Sequence, residues 1–178
     1  MSAGTFDILI PFVEHLGIRL LEKGGGRVLI RLDPLPEHLN SWQGVHGGVL
    51  MTMLDVAMAQ AARSVQTHAP TDRAGVATIE MKTSFVRPAE GELRAVGTLL
   101  HRTSTLAFCE ASVFDDGGRL CAHATGTFKY LRALPSLKNR RAAPEVLEPP
   151  RGAGRARPGP GGTQEGGVKL QRGIAAKE

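Results

Sequence analysis

Residues 40–62 read NSWQGVHGGVLMTMLDVAMAQAA, and this stretch decides the fold. Its second half, residues 49–62, is apolar on nearly every side when wound as a helix, so other structure has to surround it. The run is too short and too interrupted to span a bilayer. Asp55 is the only acidic residue between Glu37 and Asp72. A charge in an apolar helix is costly unless it is partnered or used, which makes Asp55 the first functional candidate.

Composition divides the chain into two parts of different character. Residues 1–134 contain 13 Lys and Arg against 13 Asp and Glu, whereas residues 135–178 contain 9 against 4. The formal net charge of +5 therefore lies in the C-terminal part, where Gly and Pro recur and large apolar residues are scarce. The chain of 178 residues is long enough for one domain with a core. We predict one domain over residues 1–134 and a disordered tail over residues 135–178.

The distribution of charge and cysteine argues against several function classes. Because the domain has no net charge and no basic stripe with aromatic residues among it, nucleic-acid binding is not expected. Residues 1–16 lack a basic segment followed by a long apolar run, so secretion is not expected either. Cys109 and Cys121 have no metal-ligand spacing and are predicted to be reduced, buried thiols. We therefore expect a cytoplasmic protein without a membrane partner.

Periodicity and turn residues define the elements on the N-terminal side of the domain. A short helix is predicted over residues 6–16, ending near Gly17. A hairpin follows, with strands at residues 18–22 and 27–33 joined by a glycine-rich turn. The long helix is predicted from about His46 to near His68, because the residue ahead of Pro70 is pushed out of helical geometry.

Four strands are predicted after the long helix. In residues 75–85 one face would hold Ala77, Ile79, Met81, Thr83 and Phe85, and the other Thr78, Glu80, Lys82 and Ser84. This alternation predicts a strand with one buried face. Residues 92–102, 106–115 and 119–131 complete the set, and small residues on one face of the last strand would let a helix lie close. The sum is an α+β fold, an antiparallel sheet wrapped around a long central helix.

Gly47 and Gly48 stand where the long helix begins. The first N–H groups of a helix lack intrahelical partners, and the helix dipole is positive there, so a carbonyl oxygen at this end would be polarised and an oxyanion stabilised. Glycine lets a ligand approach the backbone closely. The alternative is that the two glycines only make a tight turn into the helix.

Asp55 follows Gly47 by eight residues, which is about 12 Å along a helix axis. One chain's carboxylate therefore cannot reach a carbonyl bound at the start of the same helix. If two such helices pack antiparallel in a dimer, the start of one comes level with the middle of the other. Either the site is shared between two chains, or Asp55 is a buried structural acid with satisfied hydrogen bonds.

The sequence resembles the hotdog-fold acyl-CoA thioesterases of the phenylacetate-pathway, PaaI-like branch. Three segments carry the resemblance: HLNSWQGVHGG at residues 38–48 with Asp55 after it, GVATIEMKTSFVRPA at residues 75–89, and the closing hairpin from DGGRL at residues 116–120 to ATGTF at residues 124–128. It covers roughly residues 6–130 and leaves the tail unmatched. It implies a hotdog fold, acyl-CoA thioester hydrolysis and a homodimer or dimer of dimers.

The resemblance also implies roles for particular residues. Asn40 would position the acid or a water, the Gly47 N–H would polarise the thioester carbonyl, and Asp55 from the other subunit would act as nucleophile or general base. Thr78 would help to orient water, and His46 would support the thioester side and the loop. Residues expected to bind the substrate are Gly48, by close backbone approach, and, by charge type for the CoA phosphates, Lys82, Arg87 and Arg102.

This chemistry requires no cofactor, because a thioester is already activated. No metal is expected, since the sequence has no His-x3-His or Cys-x2-Cys, and it has no Gly-x-Ser-x-Gly for a serine triad. Two other functions stay open: a hotdog enoyl-CoA hydratase or dehydratase, and a non-catalytic acyl-CoA binding module. The sequence does not specify the acyl group, because two chains would shape the pocket.

Overall fold

A computed structural model describes residue 6, residues 8–65 and residues 75–131. In order, the elements are α1 (Pro11–His15), β1 (Arg19–Gly24), β2 (Arg27–Leu32), a 3₁₀ turn (Pro36–His38), α2 (Gly47–Arg63), β3 (Gly75–Phe85), β4 (Leu93–Arg102), β5 (Leu106–Phe114) and β6 (Leu120–Leu131). The predicted boundary after residue 134 and the predicted tail over residues 135–178 lie outside the described residues. No helix in the described part of the chain is long and apolar enough to cross a membrane.

The six strands form one sheet in the order β1-β2-β4-β5-β6-β3, and every neighbouring pair is antiparallel. Helix α2 contacts all six strands, so the sheet curls around it. The core consists of the buried sides of α2 and the helix-facing residues of the strands. This arrangement confirms the predicted α+β fold with a long helix at its centre.

Helix α2 is surrounded on every side but one. Ten of its 17 residues are buried, among them Met53, Leu54 and Met58 with no accessible surface. The at least partly exposed positions include Gly48, Met51, Thr52, Asp55 and Ala59, which recur every three or four residues and therefore form one stripe. We call these five residues the open stripe of α2.

Two helix boundaries differ from the prediction. Helix α2 ends at Arg63 and not near His68, because the Ser64 hydroxyl closes the last turn: it donates to the Ala61 carbonyl and accepts the Gly26 N–H, both at 2.8 Å. Helix α1 spans Pro11–His15 and is therefore shorter than the predicted 6–16. It begins at Pro11 because proline has no N–H to donate within a helix and is tolerated only in the first turn. Gly17, with a φ of +70°, follows its end as predicted.

Small residues bring the helix close to the sheet. The predicted small face of β6 is buried, and a Cβ at Gly126 would lie 3.2 Å from Met58 Cε. On β4, a Cβ at Gly97 would collide with the backbone carbonyl of Ala57 in α2. Only glycine fits at this contact, so the distance between helix and sheet is set by Gly97.

Strand β3 does not have the buried face that its alternation predicts. Ile79 and Phe85 are 55% and 54% exposed, and most of the strand is open in a single chain. The reason is position, because β3 lies at the edge of the sheet and, within the part of the chain that the structure describes, pairs with β6 alone.

The predicted division of β3 into two faces is also wrong at Thr78. A β-bulge shifts the register between Thr78 and Glu80. The extra residue turns Thr78 to the helix side, opposite the buried Phe128, while Glu80 faces away and accepts a hydrogen bond from Thr127. Thr78 can reach α2 because of this bulge.

Candidate active site

The start of α2 leaves one backbone donor without a partner. His46 is the N-cap, and its Nδ1 accepts the Gly48 N–H at 2.9 Å. The His46 carbonyl accepts the N–H groups of Val49 and Leu50 at 2.9 and 3.3 Å. Among the described residues, nothing accepts a hydrogen bond from the Gly47 N–H. The amide available to a ligand is therefore that of Gly47, whereas that of Gly48 is occupied by the His46 side chain.

Phe85 lies over the start of the helix. A Cβ at Gly47 would stand 3.3 Å from the Phe85 ring, so the absence of a side chain lets the ring pack against the backbone. Phe85 is nevertheless more than half exposed in a single chain. The sequence did not predict Phe85 as a site residue, although it lies in the motif of residues 75–89, two residues ahead of Arg87.

Asn40 shapes the loop that leads into α2. Its Oδ1 accepts the N–H groups of Trp42 and Gly44 at 2.9 and 3.2 Å, and its own N–H donates to the Gly44 carbonyl at 2.8 Å. Gln43 takes a left-handed φ of +64° within this loop. The Asn40 side-chain oxygen thus holds a tight loop immediately before the helix, a structural task that the sequence did not predict.

His38, the first residue of the 38–48 motif, also holds the start of α2 in place, a role that the sequence did not predict. It is buried, its Nδ1 accepts the Leu35 N–H at 2.9 Å, and its carbonyl accepts the His46 N–H at 2.8 Å. The Val45 N–H donates to the Ala89 carbonyl at 3.0 Å. These bonds fix the start of α2 against the rest of the domain.

Asp55 lies on the open stripe, with Thr78 as its partner. The Thr78 hydroxyl donates to Asp55 Oδ1 at 2.7 Å. Burial raises the pKa of Asp55 above its usual value, and the Thr78 hydrogen bond lowers it by a smaller amount. The result is a half-buried carboxylate with a raised pKa, which makes it a stronger base than an exposed aspartate.

The structure places the predicted catalytic residues in two separate groups within a single chain, which we call the half-sites. Gly47, His46 and the Asn40 loop lie at the first turn of α2, whereas Asp55 and Thr78 lie two turns further on. Eight residues of helix separate Gly47 from Asp55, about 12 Å along the axis. A single chain therefore cannot place the free amide and the carboxylate on one carbonyl group.

The three candidate cations for CoA phosphates lie at different places on the sheet. Arg87 is exposed beside the start of α2, in the loop whose Ala89 carbonyl accepts the Val45 N–H. Lys82 is exposed in the middle of β3, opposite Thr125. Arg102 ends β4 at the opposite end of the sheet and donates to the Val65 carbonyl at 3.4 Å. One chain does not gather these residues around one ligand.

No group of three or more His, Cys, Asp or Glu side chains is arranged to hold a metal ion in residues 6, 8–65 and 75–131. The two cysteines within this part of the chain are free and buried, and burial raises the pKa of the Cys109 thiol to about 11.

Comparison with known proteins identifies the family. The sequence profile described as "Thioesterase superfamily" matches residues 43–122, a range that contains Gly47, Asp55 and Thr78. Over 129 residues the chain is 30% identical to a presumed esterase of Halobacterium salinarum, covering 67% of this chain and 84% of the relative. The chain belongs to the thioesterase superfamily. Membership of this superfamily supports hydrolysis of an ester or thioester as the activity.

Solved structures of similar proteins agree with this assignment. A conserved protein of Pseudomonas aeruginosa is 30% identical, with a TM-score of 0.63 and coverage of 70% of this chain and 97% of the other. A mutant of the phenylacetic acid degradation protein PaaI of Thermus thermophilus is 23% identical, with a TM-score of 0.61 and coverage of 68% and 100%. At that identity PaaI shows the fold alone. The hotdog fold of this thioesterase-superfamily protein is confirmed.

Proposed function

We propose that the protein hydrolyses acyl-CoA thioesters to free acid and CoA as a PaaI-like hotdog homodimer or dimer of dimers. Each site would take the Gly47 amide from one subunit and the Asp55 carboxylate from the other. One observation carries this proposal: the Gly47 N–H, which has no acceptor among the described residues, and the half-buried Asp55 carboxylate lie two turns apart on α2.

The edge strand supports a dimer of the required geometry. Strand β3 offers an unpaired edge, and its apolar residues Ile79 and Phe85 are exposed beside it. Such an edge is normally covered in native proteins. If two β3 edges pair antiparallel about a twofold axis, the two α2 helices also run antiparallel. The open stripe of one helix then faces the open stripe of the other. Gly47 of one chain then comes level with Asp55 of the other.

The proposed reaction needs a polarised carbonyl and an activated oxygen. The Gly47 N–H would donate to the thioester oxygen and stabilise the negative charge that develops there. Asp55, held by Thr78, would either attack the carbonyl carbon itself or take a proton from an attacking water. In the first route the C–S bond breaks as CoA leaves as a thiolate, and water then hydrolyses the mixed anhydride on Asp55 to the free acid, with one proton passing to the thiolate. In the second route the tetrahedral intermediate collapses, the C–S bond breaks, and the thiolate of CoA takes the proton from Asp55. Both routes need Asp55 ionised.

The remaining assignments are proposals on the same basis. Asn40 would hold the loop beside the reacting carbonyl, His46 would fix the first turn of α2, and the Gly48 backbone would border the thioester. Arg87 is our first choice for a CoA phosphate contact because it lies beside the start of α2. Lys82 and Arg102 are the second choices. A cytoplasmic location is supported by the two buried free thiols.

Replacement of Asp55 by Asn tests this proposal. The amide keeps the shape of the side chain but can neither attack nor accept a proton, so CoA release should fall by about 10²- to 10⁴-fold. A thiol-reactive dye measures the release over a panel of acyl-CoA substrates, and gel filtration verifies that the variant keeps its oligomeric state. The Asp116→Asn variant, an exposed acid in the β5–β6 turn, serves as the control.

Three results would contradict the proposal. Near-normal turnover by the Asp55→Asn variant would remove Asp55 from the mechanism. Binding of acyl-CoA without thiol release by the unaltered protein would indicate a binding module. Hydration of an enoyl-CoA without CoA release would indicate a hydratase.

A further inference from the structure

A groove of about 290 Å³ lies between α1 and the first two turns of α2. Its apolar lining comes from both helices and from the segment after the 3₁₀ turn, and consists of Phe12, Leu16, Leu39 and Val49. Phe12 forms the outer part of this lining and is 59% exposed. The groove is separate from the residues already assigned to catalysis, with the exception of its border at His46 and Gly48.

The groove begins one residue away from the free amide. Gly48 contributes backbone and no side chain to its lining, and consecutive Cα atoms lie about 3.8 Å apart, so a carbonyl bound at Gly47 stands at the mouth of the groove. The Phe85 ring also packs against Gly47 but does not line the groove, and the exposed Val86 and Arg87 follow it in the chain. The two substituents of a thioester carbonyl therefore have two different exits from the start of α2.

Charge distinguishes the two exits. The groove contains Glu37, an exposed carboxylate without an ion pair among the described residues. A negative charge at this position opposes the phosphates of CoA and any acyl group that ends in a carboxylate. The Phe85 side leads instead to the cation Arg87. The groove consequently suits the acyl part of the substrate, and the Phe85 side suits the CoA part.

A larger cavity of about 410 Å³ does not compete for this role. Its lining includes three carboxylates, Asp33, Glu90 and Glu92, and does not include Gly47. Arg31 pairs with two of them, Asp33 and Glu92. A cavity with this charge and position would neither hold CoA nor receive the acyl group of a thioester bound at Gly47.

We propose that the groove between α1 and α2 binds the acyl group, that Phe12 limits its length, and that Glu37 rejects acyl groups with a terminal carboxylate. This inference rests on the proposed acyl-CoA hydrolysis. The volume of about 290 Å³ is close to the lower limit of the range for small-molecule sites, about 300–1,000 Å³, and this favours an acyl group of short to medium length.

Two variants and three substrates test the groove. Hexanoyl-CoA and adipoyl-CoA have acyl chains of equal length and differ in a terminal carboxylate, and dodecanoyl-CoA doubles the length. The Phe12→Ala variant should raise the ratio of kcat/KM for dodecanoyl-CoA over hexanoyl-CoA about tenfold, because it opens the outer wall. The Glu37→Gln variant should raise the ratio of kcat/KM for adipoyl-CoA over hexanoyl-CoA about fivefold. This effect is modest because the Glu37 carboxylate is exposed and solvent weakens its repulsion.

Two control variants show whether a change in the ratios comes from the groove or from any loss of an exposed apolar or acidic side chain. Leu9→Ala removes an apolar side chain that is 70% exposed just ahead of α1, and Glu90→Gln removes a carboxylate from the other cavity. Both should leave the two ratios unchanged. If Phe12→Ala and Glu37→Gln change kcat/KM equally for all three substrates, the groove does not hold the acyl group. A change in oligomeric state with unchanged ratios would instead show that the groove receives a protein segment.

The two proposals can fail separately. Hydrolysis of the CoA esters with ratios that neither variant shifts would overturn the groove and leave the thioesterase assignment intact. If the unaltered protein releases no CoA from any of them, the thioesterase assignment fails, and calorimetric binding of the same three esters then tests the groove through the same two ratios. Absence of binding would overturn both.

Discussion

Thr78 and Asp55 form the one side-chain pair of the site that is complete within a single chain. The hydroxyl donates to the carboxylate at 2.7 Å, and this bond opposes the rise in the pKa of Asp55 that burial causes. A carboxylate that must be ionised to act loses its activity as the pH falls through its pKa. The position of the acid limb of the pH–rate profile should therefore depend on Thr78.

Replacement of Thr78 by Val should move the acid limb of kcat/KM to higher pH. The variant loses the hydrogen bond that lowers the pKa of Asp55 and keeps the burial that raises it. Steady-state rates measured over a series of buffers from acid to mildly alkaline pH would show the shift. Thr127→Val is the control, since its hydroxyl donates to Glu80 away from the site. An acid limb that stays in place, or moves to lower pH, would contradict the assignment of Asp55.

The sequence named Thr78 and Asp55 as candidates but did not predict the hydrogen bond between them. Thr78 was assigned by family resemblance, while the period of two in β3 put it on the opposite face from Met81. A bulge adds one residue and reverses the faces on one side of it, and no residue in the strand sequence marks its place. The Asn40 loop is similar, because its hydrogen bonds to Trp42 and Gly44 depend on a left-handed Gln43.

Among the elements, α2 and β4 have the closest contact. A Cβ at Gly97 would meet the carbonyl of Ala57, which belongs to the helix backbone and cannot rotate away as a side chain can. Any larger residue has to push α2 off the sheet. Because the half-sites lie on α2, their positions depend on this contact.

The Gly97→Ala variant should accordingly be destabilised by about 1–3 kcal/mol, the usual cost of overpacking a core. Urea unfolding followed by circular dichroism measures the free energy of unfolding. Gly24→Ala is the matched control, because a Cβ there meets nothing within 4 Å and the residue has no left-handed φ. Equal stability of the two variants would show that α2 adapts without cost.

Helices and strands that pack against other elements of the same chain were predictable from the sequence. The nearly all-apolar run of residues 49–62 indicated a surrounded helix, and the small residues of β6 indicated close packing; both agree with the structure. The exposed β3 was predicted wrongly, because an alternating pattern indicates that a face will be covered without indicating by what. An edge strand covered by a second chain has the same pattern as one covered by its own helix.

At the scale of the whole molecule, the proposed shared site would make a dimer part of the chemistry. Neither Gly47 nor Asp55 has the other within reach along one helix, and about 12 Å of α2 separates them. A protein that used both residues in one chain would need a different helix length between them. The proposed dimer can therefore be tested by measuring the activity of mixed variants as well as by measuring the molecular mass.

Complementation between two inactive variants would test the shared site directly. Gly47→Pro removes the N–H at the first position of α2, where proline is tolerated. Gly47→Ala keeps that N–H and also adds a Cβ next to the Phe85 ring. We expect Gly47→Pro to be inactive and Gly47→Ala to keep most of its activity. We expect Asp55→Asn to be inactive because it lacks the carboxylate.

Unfolding and refolding a 1:1 mixture of Gly47→Pro and Asp55→Asn chains should restore about a quarter of the unaltered activity. Random pairing makes half of the dimers mixed, and each mixed dimer has one intact site, with Asp55 from the Gly47→Pro chain and Gly47 from the Asp55→Asn chain. If both residues acted within one chain, every site would lack one of them and the mixture would stay inactive. Recovered thiol release thus distinguishes a shared site from one in which Asp55 only stabilises the fold.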